Sequence, residues 1–207
     1  MKAQRLLTLM IAAFILSTGV VTGASMWGDY DGNAKARLFV NDEEKTFSDS
    51  EVPAFITHGS TVLPLRTLSQ SLMALVRWDN SNKTVSIYKP NVQIITSSGL
   101  TQKDNNYTIS NPFDVVNTSD ALNFYLYASV DNLKTNIQSF KISIKTPSGG
   151  DLVEPVVSSV SSDYFIYTWQ FKRVEFTEYG KYTVQFAAKL DDGSDYMVIG
   201  EKQIVRQ

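Results

Sequence analysis

Cysteine is absent from the 207 residues, which excludes disulfides, thiolate metal sites and a lipid-modified cysteine anchor. Histidine is nearly so. His58 is the single one, so any Ser-His-Asp relay would have to recruit it, and no G-x-S-x-G elbow is present. Positive charge is sparse and unclustered: 19 Lys and Arg stand against 21 Asp and Glu. A nucleic-acid ligand needs a basic field to displace phosphate counterions, so nucleic acid is not an expected partner. Long apolar runs are missing too, apart from residues 6–16.

That one run follows Lys2 and Arg5 and gives way to Ser17, Thr18, Gly19 and Gly23. It is shorter than the roughly 20 apolar residues a spanning helix needs. A charged start, a short apolar middle and small residues describe a signal peptide, residues 1–24, with cleavage expected after Ala24 in Thr22-Gly23-Ala24. Its removal takes away two positive charges and moves the formal charge from -2 to -4. A secreted or cell-wall-associated protein with no stable membrane span after cleavage is expected. Its stability must then come from packing without crosslinks.

What is present is 12% aromatic residues and two kinds of hydrophobic pattern. The first domain, residues 25–96, holds the one helical pattern. Arg37, Leu38, Phe39 and Val40 lead into an Asn41-Asp42-Glu43-Glu44 turn and a return strand at 45–47. His58-Gly59 is a turn, with Gly59 supplying the positive φ. Pro64 sits where a first helical residue belongs, its missing N–H costing nothing there. Leu65, Leu68 and Leu72 recur at helical spacing and predict one buried helix face. Val76 and Trp78, then Val85 and Ile87, alternate about an Asp79-Asn80-Ser81-Asn82 turn. Val92, Ile94 and Ile95 read as the last strand of this domain, and the polar stretch 97–106 as a linker.

Residues 107–207 alternate with period two and carry no helical pattern. The rows are Leu122, Phe124, Leu126, Ala128 and Val130; then Phe140, Ile142 and Ile144; then Phe165, Tyr167, Trp169 and Phe171; then Tyr182, Val184, Phe186 and Ala188. Each predicts a strand with one buried face, and Trp169 is placed in the core. The fold class expected is a small α+β N-terminal domain, an antiparallel sheet with one helix, followed by an all-β immunoglobulin-like sandwich.

The order of parts from Val52 to Tyr88 carries a resemblance. Val40-Asn41, Pro53, Gly59, Thr61, Leu63-Pro64-Leu65-Arg66, Leu72, Ala74, Val76, Trp78-Asp79, Thr84-Val85 and Ile87 are similar to the stalk domain family, the copper amine oxidase N-terminal-like module, over about residues 25–95. Members are often secreted or surface proteins of Gram-positive bacteria, so the resemblance implies a structural or interaction unit. It implies no oxidase: that chemistry needs three His ligands and a quinone-forming Tyr in N-Y-D or N-Y-E, whereas Asn106-Tyr107 is followed by Thr108. Two positions depart from the family pattern, Gln70 for Glu and Met73 for Gly. A left-handed Met costs about 1 kcal/mol against Gly, which predicts a different helix end. Farther on, residues 178–184 resemble the D-x-G-x-Y-x-C segment of immunoglobulin-type domains, with Val184 for Cys. Tyr182 would be the corner tyrosine whose hydroxyl bonds backbone a few residues upstream.

Candidate site residues are few. Asp191-Asp192-Gly193-Ser194-Asp195 is the densest acidic loop, but Asp-Gly between alternating strands is foremost a hairpin, and Asp29-Tyr30-Asp31-Gly32-Asn33 reads as a turn as well. No metal or cofactor is expected. Tyr125 and Tyr127, on the outer face of their strand, are the candidate binding surface, with cross-strand pairing as their alternative use. Gly59, Pro64, Arg66, Trp78 and Tyr182 are expected to be structural, Arg66 and Trp78 by holding the helix to its sheet. The leading expectation is a non-catalytic binding module or scaffold for a protein or cell-wall polysaccharide. A secreted regulator or inhibitor of an extracellular enzyme is the second, and an acid-pair hydrolase the third.

Overall fold

A computed structural model describes residues 27–104, 106–118, 120–160, 162–191 and 193–207. The expected signal peptide and its cleavage position lie outside them, as does Asp192. The described residues divide into two compact units, the first ending at Pro64 and the second beginning at Leu65, and they are mostly β with one helix.

The first unit is built from tight hairpins. β1 (Asp29–Tyr30), β2 (Asn33–Lys35), β5 (Phe55–Thr57) and β6 (Ser60–Val62) form a four-stranded sheet in the order β1-β2-β5-β6. β3 (Leu38–Val40) and β4 (Glu43–Lys45) form a separate pair. Three two-residue turns close these hairpins: Asp31-Gly32, Asn41-Asp42 and His58-Gly59, both residues of each at positive φ. That geometry matches the right-handed twist of paired strands. The β3–β4 turn thus occupies two residues, and the returning strand begins at Glu43, inside the expected turn. There Arg37 forks onto the Glu44 carboxylate and lies over the rings of Phe39 and Trp27 at 4.6 and 4.8 Å. The hydrogen bond from Arg37 holds the Glu44 carboxyl below the usual carboxylate range.

The second unit opens with α1 (Leu65–Ser71), directly after Pro64, and the hairpin β7 (Leu75–Asp79) and β8 (Thr84–Tyr88). The helix does not bury the expected leucine face. Leu65 and Leu72 are exposed, and Ser69 is the one buried helical residue. The helix has two turns only and lies next to β7 and the last strand. Its end also differs from expectation. Met73 takes φ 54°, its N–H donates to the Gln70 carbonyl at 3.0 Å, and Ala74 N–H donates to the Ser69 carbonyl at 2.8 Å. This is the Schellman arrangement usually closed by Gly, here imposed on Met. The β7–β8 hairpin is anchored by Leu75, fully buried in the main core. Asp79 Oδ1 accepts from the Ser81 amide and hydroxyl, which shapes the turn and lowers the Asp79 carboxyl's pKa.

The remaining strands are β9 (Asn91–Lys103), β10 (Asn106–Pro112), β11 (Val115–Val116), β12 (Leu122–Asp131), β13 (Ser139–Lys145), β14 (Val156–Ser158), β15 (Phe165–Val174), β16 (Gly180–Lys189) and β17 (Met197–Arg206). They make a four-stranded antiparallel sheet, β10-β9-β12-β15, and a five-stranded sheet, β11-β17-β16-β13-β14, in which β11 runs parallel to β17. The inner faces share one core. Phe140 stacks on Phe186 at 4.9 Å and on Phe165 of the other sheet at 5.5 Å, and meets the Tyr167 ring edge-on at 4.8 Å. Phe124, Phe176 and Tyr182 continue the cluster.

Of the stretch 97–106, expected as a linker, residues 97–103 lie in β9 and Asn106 opens β10, with Asn106 opposite Lys103 and Pro112 opposite Ser97. Val92, Ile94 and Ile95 pair with β12, so this strand belongs to the four-stranded sheet. The pattern was hidden because burial there falls on hydroxyls. Thr96 and Ser97 are fully buried, and their side chains donate to the carbonyls of Phe113 and Gly99. At one point the two sheets come closer than side chains permit: a Cβ on Gly200 of β17 would lie 2.7 Å from Val92 Cβ and 2.6 Å from its Cγ1.

Two stability predictions follow from this geometry. Gly200→Ala is expected to destabilise the protein by about 1–3 kcal/mol, the usual overpacking range. In urea denaturation the penalty will be smaller in a Val92→Ala background, because the two sites share one contact. Met73→Gly relieves a left-handed residue and is expected to stabilise by about 1 kcal/mol, read as a raised midpoint with unchanged slope.

Candidate functional site

The sequence places Arg66 and Gln70 one helical turn apart on α1, and Val76 and Trp78 two residues apart on one face of β7. The structure sets these against the loop joining β16 and β17. Arg66, Gln70, Val76, Trp78, Gly193, Ser194, Asp195 and Met197 line a groove of about 260 Å³. Trp78 is 55% exposed. It therefore does not hold the helix to its sheet. A two-stranded hairpin can bury one face only, and the face chosen is that of Leu75 and Tyr88, which pack on the main core. Trp78 pairs with Val85 and Val76 with Ile87, so the outward face is an apolar strip.

The loop wall is ordered by its own hydrogen bonds. The amides of Leu190 and Asp191 donate to Ser194 Oγ, each at 3.1 Å, and this hydroxyl donates to the Asp191 carbonyl at 3.0 Å. Asp191 Oδ1 accepts from the Gly193 amide at 3.1 Å. Asp191 is thus a turn residue, and among the described residues no group of three His, Asp or Glu is arranged to hold a metal ion. Neither Arg66 nor Asp195 has a side-chain hydrogen bond or ion pair among the described residues. An indole face flanked by a free guanidinium, a primary amide and a free carboxylate suits a ligand with apolar patches and several hydroxyls.

In a larger groove, about 820 Å³, Val153, Glu154, Val157, Trp169 and Lys172 are among the lining residues. Trp169 lies on the inner side of β15 by alternation, yet it is 42% exposed. This corrects its expected place in the core. β15 is the last strand of its sheet, and its middle opens onto this groove. Among the described residues, the carboxylates lining the two grooves are Glu154 in the larger and Asp195 in the smaller.

Tyr125 and Tyr127 stand half-buried on the outer face of β12. The Tyr125 hydroxyl accepts from Gln170 Nε2 on β15 at 3.1 Å, and the Tyr127 ring meets Tyr107 edge-on at 5.4 Å. Their polar and aromatic surfaces are engaged by neighbouring strands. Tyr182 is fully buried, and its hydroxyl accepts from the Glu178 amide at 2.7 Å. His58 lies in the β5–β6 turn, with Nδ1 3.1 Å from the Thr57 hydroxyl. The groove at Trp78 was not readable beforehand, since 66–78 and 193–197 are far apart in the chain. The available signal was Trp78 itself, a large ring on a hairpin too thin to bury both faces.

No curated protein matches the chain to a significant degree. A family match does exist, and it falls on the segment whose motifs carry the stalk-domain resemblance. It begins in β3 and runs through α1 and the β7–β8 hairpin to just past β11, more than a third of the chain. The match is to the N-terminal domain of those oxidases, and no catalytic domain accompanies it. Over residues 39–117 the chain is similar to the copper amine oxidase N-terminal domain.

Proposed function

We propose that the protein is a secreted or cell-wall-associated, non-catalytic binding module, and that the groove at Trp78 takes a cell-wall polysaccharide. The observation that carries this reading is the half-exposed Trp78 indole beside the unpaired Arg66 and Asp195. A sugar ring has one apolar face and a hydroxyl rim, so it stacks on indole while charged and amide groups take its hydroxyls. The signal-peptide pattern of residues 1–24 supports export. The similarity over residues 39–117 to an N-terminal domain supports a role in interaction over one in chemistry. The two sheets read as an immunoglobulin-like sandwich, supported by their common core and by the Tyr182 bond to backbone four residues upstream. Such a body would serve as the rigid carrier of the groove. Among the described residues no helix is long and apolar enough to cross a membrane.

Cosedimentation with insoluble cell-wall polysaccharide tests the proposal. The protein is expected to partition into the pellet, and Trp78→Ala to weaken binding about tenfold or more, equivalent to roughly 1.4 kcal/mol. Tyr164→Ala, an exposed ring far along the sequence on the β14–β15 connection, should leave binding unchanged. Binding that persists in Trp78→Ala, or release of reducing ends from the polysaccharide, would overturn the reading.

A further inference from the structure

The outer face of the five-stranded sheet carries an excess of positive charge in a chain whose formal net charge is -2. By alternation it presents Lys141 and Lys145 of β13 and Lys181 and Lys189 of β16, while Phe140, Ile142, Tyr182 and Ala188 beside them are buried in the core. Two nearby carboxylates are already engaged: Asp151 pairs with Lys145 at 2.8 Å, and Glu201 of β17 accepts from Gln185 at 2.8 Å. Lys141 and Lys189 form no ion pair among the described residues. The register nonetheless brings these two together. Lys189 lies opposite Ser139 and Ala187 opposite Lys141, so the lysines are diagonal neighbours, a spacing of roughly 7–8 Å that long side chains span. Both reach one ring, with Lys141 Nζ 4.8 Å and Lys189 Nζ 5.9 Å from the centroid of Tyr196. The Tyr196 hydroxyl lies 2.9 Å from Ser139 Oγ, and all four residues are half-buried.

We propose that Lys141, Lys189, Tyr196 and Ser139 form a binding site for a dianionic phosphate group, free or as a monoester. Charge defines the ligand. Two ammonium groups held over one ring repel each other, and the negative face of that ring fixes their positions without cancelling their charge. A carboxylate would bring one negative charge and two oxygens. A phosphate monoester brings nearly two charges at neutral pH and three strong acceptor oxygens, which matches two ammonium groups at once. Lysine suits this as a compact cation with three donors that rotate to the oxygens they meet. The hydroxyls add a donor of their own: whichever of Ser139 and Tyr196 accepts the bond between them keeps its hydrogen for a ligand oxygen. The site shares no residue with the groove at Trp78 and stands without that reading.

Amide NMR of the purified protein across a series of inorganic phosphate concentrations, at constant ionic strength, reads the outcome. The amides of Ser139, Lys141, Lys189 and Tyr196 are expected to shift along one saturable curve, and acetate in place of phosphate to leave them still. Lys141→Gln and Lys189→Gln, whose spectra also report folding, should each raise the half-saturating phosphate concentration about tenfold. Lys181→Gln removes the same charge elsewhere on the face and should leave it unchanged. Tyr196→Phe keeps the ring under both lysines and loses the hydroxyl, so it should weaken binding without loosening the fold. Glucose 6-phosphate separates the two sources of the group: half-saturation about tenfold below that of inorganic phosphate assigns a phosphorylated carbohydrate, and an equal or higher value assigns free phosphate. Shifts that do not saturate, that acetate reproduces, or that are the same in both lysine variants as in the parent protein would overturn the proposal.

Discussion

The structure depends on two sheets held face to face by aromatic packing with no covalent link between them. Phe140 is the centre of that contact, touching Phe165 and Tyr167 across the gap and Phe186 beside it. A fully buried side chain of this kind contributes roughly 1.5–3 kcal/mol through burial, and the cluster repeats it several times over. Gly200 lets the sheets close where Val92 would otherwise strike a side chain. Burial also pushes the Tyr167 phenol above its ordinary pKa. The absence of cysteine leaves packing to perform what a disulfide performs elsewhere.

The groove at Trp78 is a consequence of that core. Leu75 is drawn into it, and this commits the alternate face of β7, with Val76 and Trp78, to the outside. The β16–β17 loop arrives at the same place because both its strands belong to the core, while Ser194 and Asp191 hold its shape. Affinity would then rest on a ring positioned by rigid strands, with little side-chain freedom left to lose on binding.

Turn chemistry and strand period were the most legible layers. Asp31-Gly32 and His58-Gly59 declare their hairpins, and the rows beginning at Leu122, Phe140, Phe165 and Tyr182 became β12, β13, β15 and β16. The failures share a cause, which is that alternation names a face without naming what lies opposite. Trp169 has inward parity and faces an open edge, while Leu65 and Leu72 have helical spacing and stay exposed. β9 was read only as far as Ile95, and its continuation was taken for a linker because its buried positions are Thr96 and Ser97, hydroxyls whose burial is compensated by hydrogen bonds.

The sequence by itself determined the local geometry: turns, strand periods, the absence of thiols, and the motifs similar to the copper amine oxidase N-terminal domain. These follow from backbone sterics and side-chain chemistry acting over a few residues. Tertiary structure alone decided which aromatic rings were covered. Trp78 and Trp169 each sit in an alternating strand, as Phe124 and Phe140 do, but only packing from distant segments covered the phenylalanines and left the two indoles open. Exposure depends on partners that are remote in the chain, and local pattern carries no record of them.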